Sequence, residues 1–200
     1  MITLSIKKLE RNLGKRIKKN VYCVGVDTAS QTGVCFLTVS DKEAHFEWEL
    51  FKLPTLPTKV KNQMEKAEKY ELVLDGAVNS IRELKAKCKK SDNGTLILEQ
   101  SFLLHNPETF GVLRALGGVF YTELYDFFPV IKFILPSEVR KIVGYTSPLA
   151  VRCPKEIKKT KYSQMKKECI VKWVNNVLGT EMTSNDLADA TILALAGVIA

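Results

Sequence analysis

Long apolar runs are missing from this 200-residue chain: no stretch reaches the roughly 18–20 residues needed to cross a bilayer. The N-terminus, MITLSIKKLERNLGKRIKKN, has no apolar core of the kind a secretory signal carries. Histidine is reduced to His45 and His105, far apart in sequence and expected in surface or capping roles. The five cysteines (Cys23, Cys35, Cys88, Cys153, Cys169) are odd in number, scattered and without a CxxC. That pattern argues against a disulfide framework and a zinc site, and for reduced thiols in an intracellular compartment. Repeats and low-complexity tracts are also missing. What remains is a globular composition, 46% hydrophobic and 26% charged, long enough for one domain with a substantial core.

The charge is uneven. The net charge is +8, and half of the 30 bases fall in two segments. Residues 1–20 hold seven (Lys7, Lys8, Arg11, Lys15, Arg16, Lys18, Lys19) against Glu10, and read as a basic, weakly amphipathic arm preceding a domain at 21–200. Residues 152–172 hold eight (Arg152, Lys155, Lys158, Lys159, Lys161, Lys166, Lys167, Lys172) against Glu156 and Glu168. One such run is equally the signature of a solvated face. Two in one small chain point to a polyanion, nucleic acid first, with an anionic membrane surface as the alternative for the arm alone.

Apolar patterning gives the element order. Strands are expected at 21–27, 33–40 and 45–52, the last alternating as HFEWELF. Met64, Ala67, Leu74, Ala77, Val78, Ile81, Leu84 and Cys88 recur at helical spacing over 59–90. TLILEQ (95–100) has the continuous apolar character of a doubly covered strand. A helix at 107–122, a strand at 130–135, a short helix from Pro136, a basic helix at 160–178 ended by Gly179, and an apolar C-terminal helix complete the chain. Three consecutive strands suggest antiparallel hairpins, and the later strand–helix–strand units suggest parallel crossovers. The expected architecture is α/β: a mixed, five-stranded central sheet with helices on both faces.

Four acids stand where such a sheet binds ligands. Asp27 ends VYCVGV and Glu99 follows TLIL, both at carboxyl ends of strands expected to be parallel neighbours. Asp186 and Asp189, three apart, share one face of the last helix. Asp186 also suits a helix's first turn through the macrodipole. Asp189 sits inside LADATILALA, where an unpaired carboxylate is costly. Taken singly, Asp27 is equally a turn residue and Glu99 equally a partner for a base. Taken together, four acids at one rim repel unless cations join them. Oxygen-only ligands suit Mg²⁺, with Mn²⁺ as a substitute. Two such ions roughly 3.5–4 Å apart would stabilise a phosphodiester displacement.

GVDTASQTGVCFL, LILEQSFLLHNPET, LPSEVRKIVG and SNDLADATILALA, in this order and spacing, resemble the RuvC-type Holliday-junction resolvases of the ribonuclease-H-like superfamily, over roughly residues 21–199. The EQ-x-F after an apolar strand and the D-x-x-D-A near the C-terminus are the most specific parts. The resemblance implies a homodimeric, Mg²⁺-dependent endonuclease of DNA recombination and repair that nicks two opposed strands of a four-way junction. It implies Asp27, Glu99, Asp186 and Asp189 as catalytic metal ligands. It implies DNA contacts from Phe102, an aromatic that stacks on unpaired bases, from Arg140 beside the scissile phosphate, and from the run Lys158, Lys159, Lys161, Lys166 and Lys167. It also makes the helix at 107–122 a dimer element, with Gly111, Gly117 and Gly118 permitting close approach and Phe110, Leu113, Leu116 and Phe120 supplying apolar surface. The chain departs from the family at Asp27-Thr28-Ala29, where D-P-G is usual, and in its basic N-terminal extension.

Two other functions compete. GVDTASQTG also resembles the first phosphate loop of actin-like ATPases and sugar kinases, but those proteins usually duplicate the fold and need a second phosphate loop, and this chain is about half that size with no second loop found. A ribonuclease-H-like nuclease for flaps, forks or RNA–DNA hybrids shares the metal chemistry and is the closer alternative.

Overall fold

The computed structural model describes residues 1–28, 31–52, 66–100, 107–149, 153–154 and 156–200. Six strands form one sheet: β1 (Ile2–Ser5), β2 (Val21–Asp27), β3 (Gln31–Val39), β4 (Glu43–Lys52), β5 (Gly94–Glu99) and β6 (Val130–Ile134), in spatial order β1-β4-β3-β2-β5-β6. The first four pair antiparallel, and β2, β5 and β6 pair parallel. The helices are α1 (Ile6–Leu13), α2 (Lys66–Lys87), α3 (Pro107–Leu124), α4 (Pro136–Val143), α5 (Lys159–Leu178) and α6 (Asn185–Val198).

The mixed α/β sheet covered on both faces is as expected, but the strand count is six, not five. The extra strand comes from the segment read as a basic arm. Its lysines and arginines mask a regular apolar pattern. Leu4, Ile6, Leu9, Leu13 and Ile17 are all buried, β1 pairs with the edge of β4, and α1 packs on α5. Ser5 caps α1 by accepting from the Lys8 amide, and Gly14 ends it at φ 62, the left-handed region that glycine favours. The long helix expected over 59–90 is observed as α2 from Lys66, and residues 53–65 lie outside the described residues.

Side-chain alternation assigns the two faces. Tyr22, Val24 and Val26 of β2, with Leu96 and Leu98 of β5, pack under α2 and α3 together with Leu116 and Phe120. Leu116 and Phe120 are therefore core residues of one chain and not the interface surface expected of them. Cys23 of β2 and Ile97 of β5 face the other layer, where α6 lies flanked by α4, α5 and α1. Asp27 and Glu99 continue those odd-numbered positions, so they share the α6 side of the sheet.

Two close approaches seat α6. A Cβ on Gly25 would stand 2.2 Å from the Ala190 carbonyl oxygen, and one on Gly33 would stand 2.1 Å from that of Asp186. Only a strand without side chains at these points lets a helix backbone come so near. Ile192, Leu193, Leu195 and Val198 are buried there, each contributing about 1.5–3 kcal/mol of apolar burial. The indole of Trp48 donates to Thr191 Oγ1 at 2.8 Å, and Thr191 donates to the Leu187 carbonyl at 2.6 Å, so β4 also holds the first half of α6.

Candidate active site

The acids meet because of this seating. Asp27 is the last residue of β2, 8% exposed, paired with Gly33 across the antiparallel ladder. Since Gly33 touches the Asp186 backbone, the first turn of α6 lies directly over the end of β2. On the other side of β2, Val26 pairs with Leu98, so Glu99 stands one step further along the neighbouring parallel strand. The ladder continues past it through Gln100 N–H to the Ile134 carbonyl, 2.9 Å. Ser184 caps α6 by accepting from the Leu187 amide, which fixes Asp186 in the first turn and Asp189 one turn later.

Burial and mutual repulsion perturb these carboxyls. Asp27 is held well above the usual carboxylate range, first by burial and then by Glu99, Asp189 and Asp186, with Lys167 opposing. Glu99 is pushed up to about 7, by burial and then by Asp189. Arg140, a hydrogen bond with Asp27, and Lys167 pull the other way. Asp189 is raised by burial and by Asp186, against Arg140 and Lys167. A hydrogen bond between two carboxyls needs a proton on one of them, and burial and mutual repulsion favour that protonated pair. Four acids thus converge at one rim, with one guanidinium and one ammonium turned toward them.

The resemblance implies divalent cations, and the residues present fit them. The donor set is carboxylate oxygen only, which suits a hard cation such as Mg²⁺. Its positive charge would relieve the repulsion that raises these groups. Among the described residues no three acidic, histidine or cysteine side chains close into a coordination shell.

No protein-family profile matches the chain, and no curated protein matches it by sequence. Solved structures do match. The Thermus thermophilus RuvC in complex with a Holliday junction substrate superposes with a TM-score of 0.58 at 15% identity, covering 88% of this chain and 92% of that one. A second Thermus thermophilus RuvC structure gives a TM-score of 0.53 at 16% identity over the same shares. The fold is that of these RuvC structures. The mixed sheet with helices on both faces is therefore a ribonuclease-H-like one, in its RuvC-type form, with β1 as a sixth strand.

In this RuvC-type fold the remaining expected residues separate. Arg140, half-buried on α4, lines one crevice with Glu99 and Asp189. Lys167, exposed on α5, also acts on the acids. Lys158 is the N-cap of α5, and Lys159 and Lys161 are exposed on its first turns. Lys166 lies over the Tyr162 ring, 4.9 Å from its centroid. Phe102 and His105 lie outside the described residues. His45 is remote from the acids, bonded to Thr3 Oγ1 at 2.8 Å between β1 and β4. Gly25 and Gly33 position the site and were not singled out from sequence. Their signal was present as isolated glycines inside buried strands. Beside Glu99, a cavity of about 410 Å³ opens between α3 and β6, bordered by Gln100, Arg114, Tyr121 and Phe133.

Proposed function

We propose that this chain is a metal-dependent structure-specific endonuclease that resolves four-way DNA junctions. The observation that carries the reading is the convergence of Asp27, Glu99, Asp186 and Asp189 at one sheet rim, with Arg140 and Lys167 facing them. Buried acids and apposed cations are what a phosphodiester hydrolase requires: carboxylates for cations, and bases for the phosphate.

In this reading Arg140, with its counter-charges Glu99 and Asp189 beside it, takes a non-bridging phosphate oxygen. Lys167 reaches the same rim from the exposed side, and Lys158, Lys159 and Lys161 extend the positive surface along α5 for the flanking backbone. Asp27 and Glu99, anchored at strand ends, hold their oxygens on rigid backbone, which preserves alignment through the reaction. Mg²⁺, or Mn²⁺ in its place, supplies Lewis-acid stabilisation of the attacking and leaving oxygens when bound. The net change is addition of water across one phosphodiester.

The substrate assignment draws on the junction-bound RuvC whose fold this chain shares. A four-way junction has two-fold symmetry, and a C2 homodimer would present two acidic centres to two opposed strands. The outer face of α3 suits such an interface. Gly111 and Gly118 open to unfilled space, Tyr121 and Tyr125 are 52% and 64% exposed, and Val130 and Phe133 of β6 continue the apolar surface.

The test is incubation of the protein with a synthetic four-way junction, a flap and an RNA–DNA hybrid, each with Mg²⁺ and with chelator. Symmetric junction nicking that chelator stops is the expected result. Metal-dependent cleavage of the flap or hybrid, with the junction untouched, would replace the resolvase reading by that of a general ribonuclease-H-like nuclease.

A further inference from the structure

The N-terminal segment is basic and is also built into the fold. β1 pairs with β4, and the Ile6 amide bonds the Lys42 carbonyl at 2.8 Å. Asn12 Nδ2 donates to the Val177 carbonyl near the end of α5 at 2.7 Å, and Lys18 N–H bonds the Val198 carbonyl at 2.8 Å. Its single acid, Glu10, is turned inward and accepts from the Ile17 amide at 3.0 Å. All seven bases (Lys7, Lys8, Arg11, Lys15, Arg16, Lys18, Lys19) are exposed, and among the described residues none forms an ion pair. A tethered tail could spread such charge apart, whereas a docked strand and helix hold it on one surface.

That surface joins the positive charge of the nuclease face. Lys15 Cε lies 3.6 Å from where a Cβ on Gly144 would stand, at the end of the helix that carries Arg140 and Lys141. Lys8 Nζ lies 4.0 Å from the same point on Gly179, at the end of the helix whose other end carries Lys158, Lys159 and Lys161. The bases of α1 and of the turn after it thus adjoin the end of α4 that carries Arg140 and the far end of α5. A helix of 20 residues spans about 30 Å, so along α5 Lys8 is separated from Lys158, Lys159 and Lys161 by roughly one turn of duplex.

We propose that β1, α1 and the turn after it, through Lys7, Lys8, Arg11 and Lys15, form a second duplex-DNA surface that grips the phosphate backbone of an arm beyond the acidic centre. The partner is duplex rather than an anionic membrane, because the apolar side of α1 (Ile6, Leu9, Leu13) is buried in the core and has nothing to insert into lipid. No base-reading side chain is involved, so the contact is independent of sequence. The proposal rests on the endonuclease reading only for the identity of the arm.

The experiment uses the full chain in chelator, titrated with a plain linear duplex over about 50–200 mM salt. The variant replaces Lys7, Lys8, Arg11 and Lys15 by alanine, all exposed, and a companion replaces the three lysines by arginine. Four lost contacts should flatten the slope of log K against log salt by about 3–4 and weaken low-salt binding by about tenfold or more. The arginine companion should behave as the parent. With Mg²⁺, junction cleavage at saturating protein should be unchanged in the alanine variant. Parent-like duplex affinity and slope in the alanine variant would overturn the proposal. So would tighter binding of the parent to phosphatidylserine vesicles than to duplex, lost in the same variant. A parent that cuts no branched DNA, yet loses duplex binding with these four bases, would sustain this surface while removing the nuclease reading.

Discussion

Glu99 carries a cost that the fold accepts for the sake of the site. Its carboxyl is raised from 4.5 to about 7 by burial and by Asp189, so the folded state holds a proton that the unfolded chain releases. Its contribution to the stability of the metal-free protein therefore falls as pH rises from about 4.5 to about 7, a direction shared by Asp27 and Asp189, which burial and mutual repulsion also raise. Glu99→Gln removes the ionisation. It should raise the melting temperature of metal-free protein at pH 8 and flatten the pH dependence of melting over that window. The same change, like Asp27→Asn, should cut junction cleavage by about 10²–10³-fold or more while junction binding holds or tightens. Thermal melts across pH, alongside a cleavage assay, check both halves. An amide variant that melts lower than the parent at pH 8 would mean the carboxylate is stabilised by its surroundings, contrary to the convergence described here.

At the scale of elements, the site depends on how α6 lies on the sheet. Gly33 of β3 touches the Asp186 backbone and Gly25 of β2 touches that of Ala190, so the strand interiors set the height of the helix that bears two of the four acids. Gly33→Ala would drive a methyl into the Asp186 carbonyl, and backbone there cannot rotate aside. The first turn of α6 must lift, carrying Asp186 and Asp189 away from Asp27. A displacement of about 1 Å costs on the order of 10²-fold in rate when it misplaces reacting groups. The expected result is a folded protein, by circular dichroism, with cleavage reduced to that degree and duplex affinity retained. Full activity in Gly33→Ala would show that the acids do not depend on this contact. The basic elements divide in the same way: α5 brings Lys167 to the acids, while α1, on the same layer, carries a docked charge that serves no ion pair among the described residues.

For the whole molecule, the proposed function has one acidic centre meet one strand, and a four-way junction asks for two. The exposed face of α3 and β6 offers Tyr121, Tyr125, Val130 and Phe133, and Tyr121 and Phe133 line a cavity that borders Glu99, so an interface there would set the spacing of two centres directly. Tyr121→Asp places a charge in that seam without touching the core of one chain, since Tyr121 is 52% exposed. Sedimentation should show a shift toward monomer. On a supercoiled cruciform plasmid the product should change from linear, reporting two nicks in one encounter, to open circle, reporting one. Parent protein that remains monomeric with junction bound, or gives only open circle, would remove the paired-nicking reading.

Period and chemistry made much of this legible in the sequence. The apolar runs VYCVGV and TLIL already place Asp27 and Glu99 at strand ends, because each run stops at an acid, while the pairing of Val26 with Leu98 put both on one face. The i, i+3 spacing of Asp186 and Asp189 likewise fixes a shared helix face, and an acid inside LADATILALA needs a partner by solvation alone. The N-terminal strand and helix were hidden because their apolar residues, Leu4, Ile6, Leu9 and Leu13, are few and interleaved with lysine. Such a short segment is stabilised by the edge of β4 and the side of α5, not by its own propensity. Leu116 and Phe120 belong to the core for a related reason: a helix pattern gives the apolar stripe but not what covers it, and here the sheet and α2 do. The meeting of the two acid pairs was decided by tertiary structure alone. It depends on Gly25 and Gly33 letting the last helix settle on the first strands, a contact between residues more than 150 positions apart that local physics does not encode.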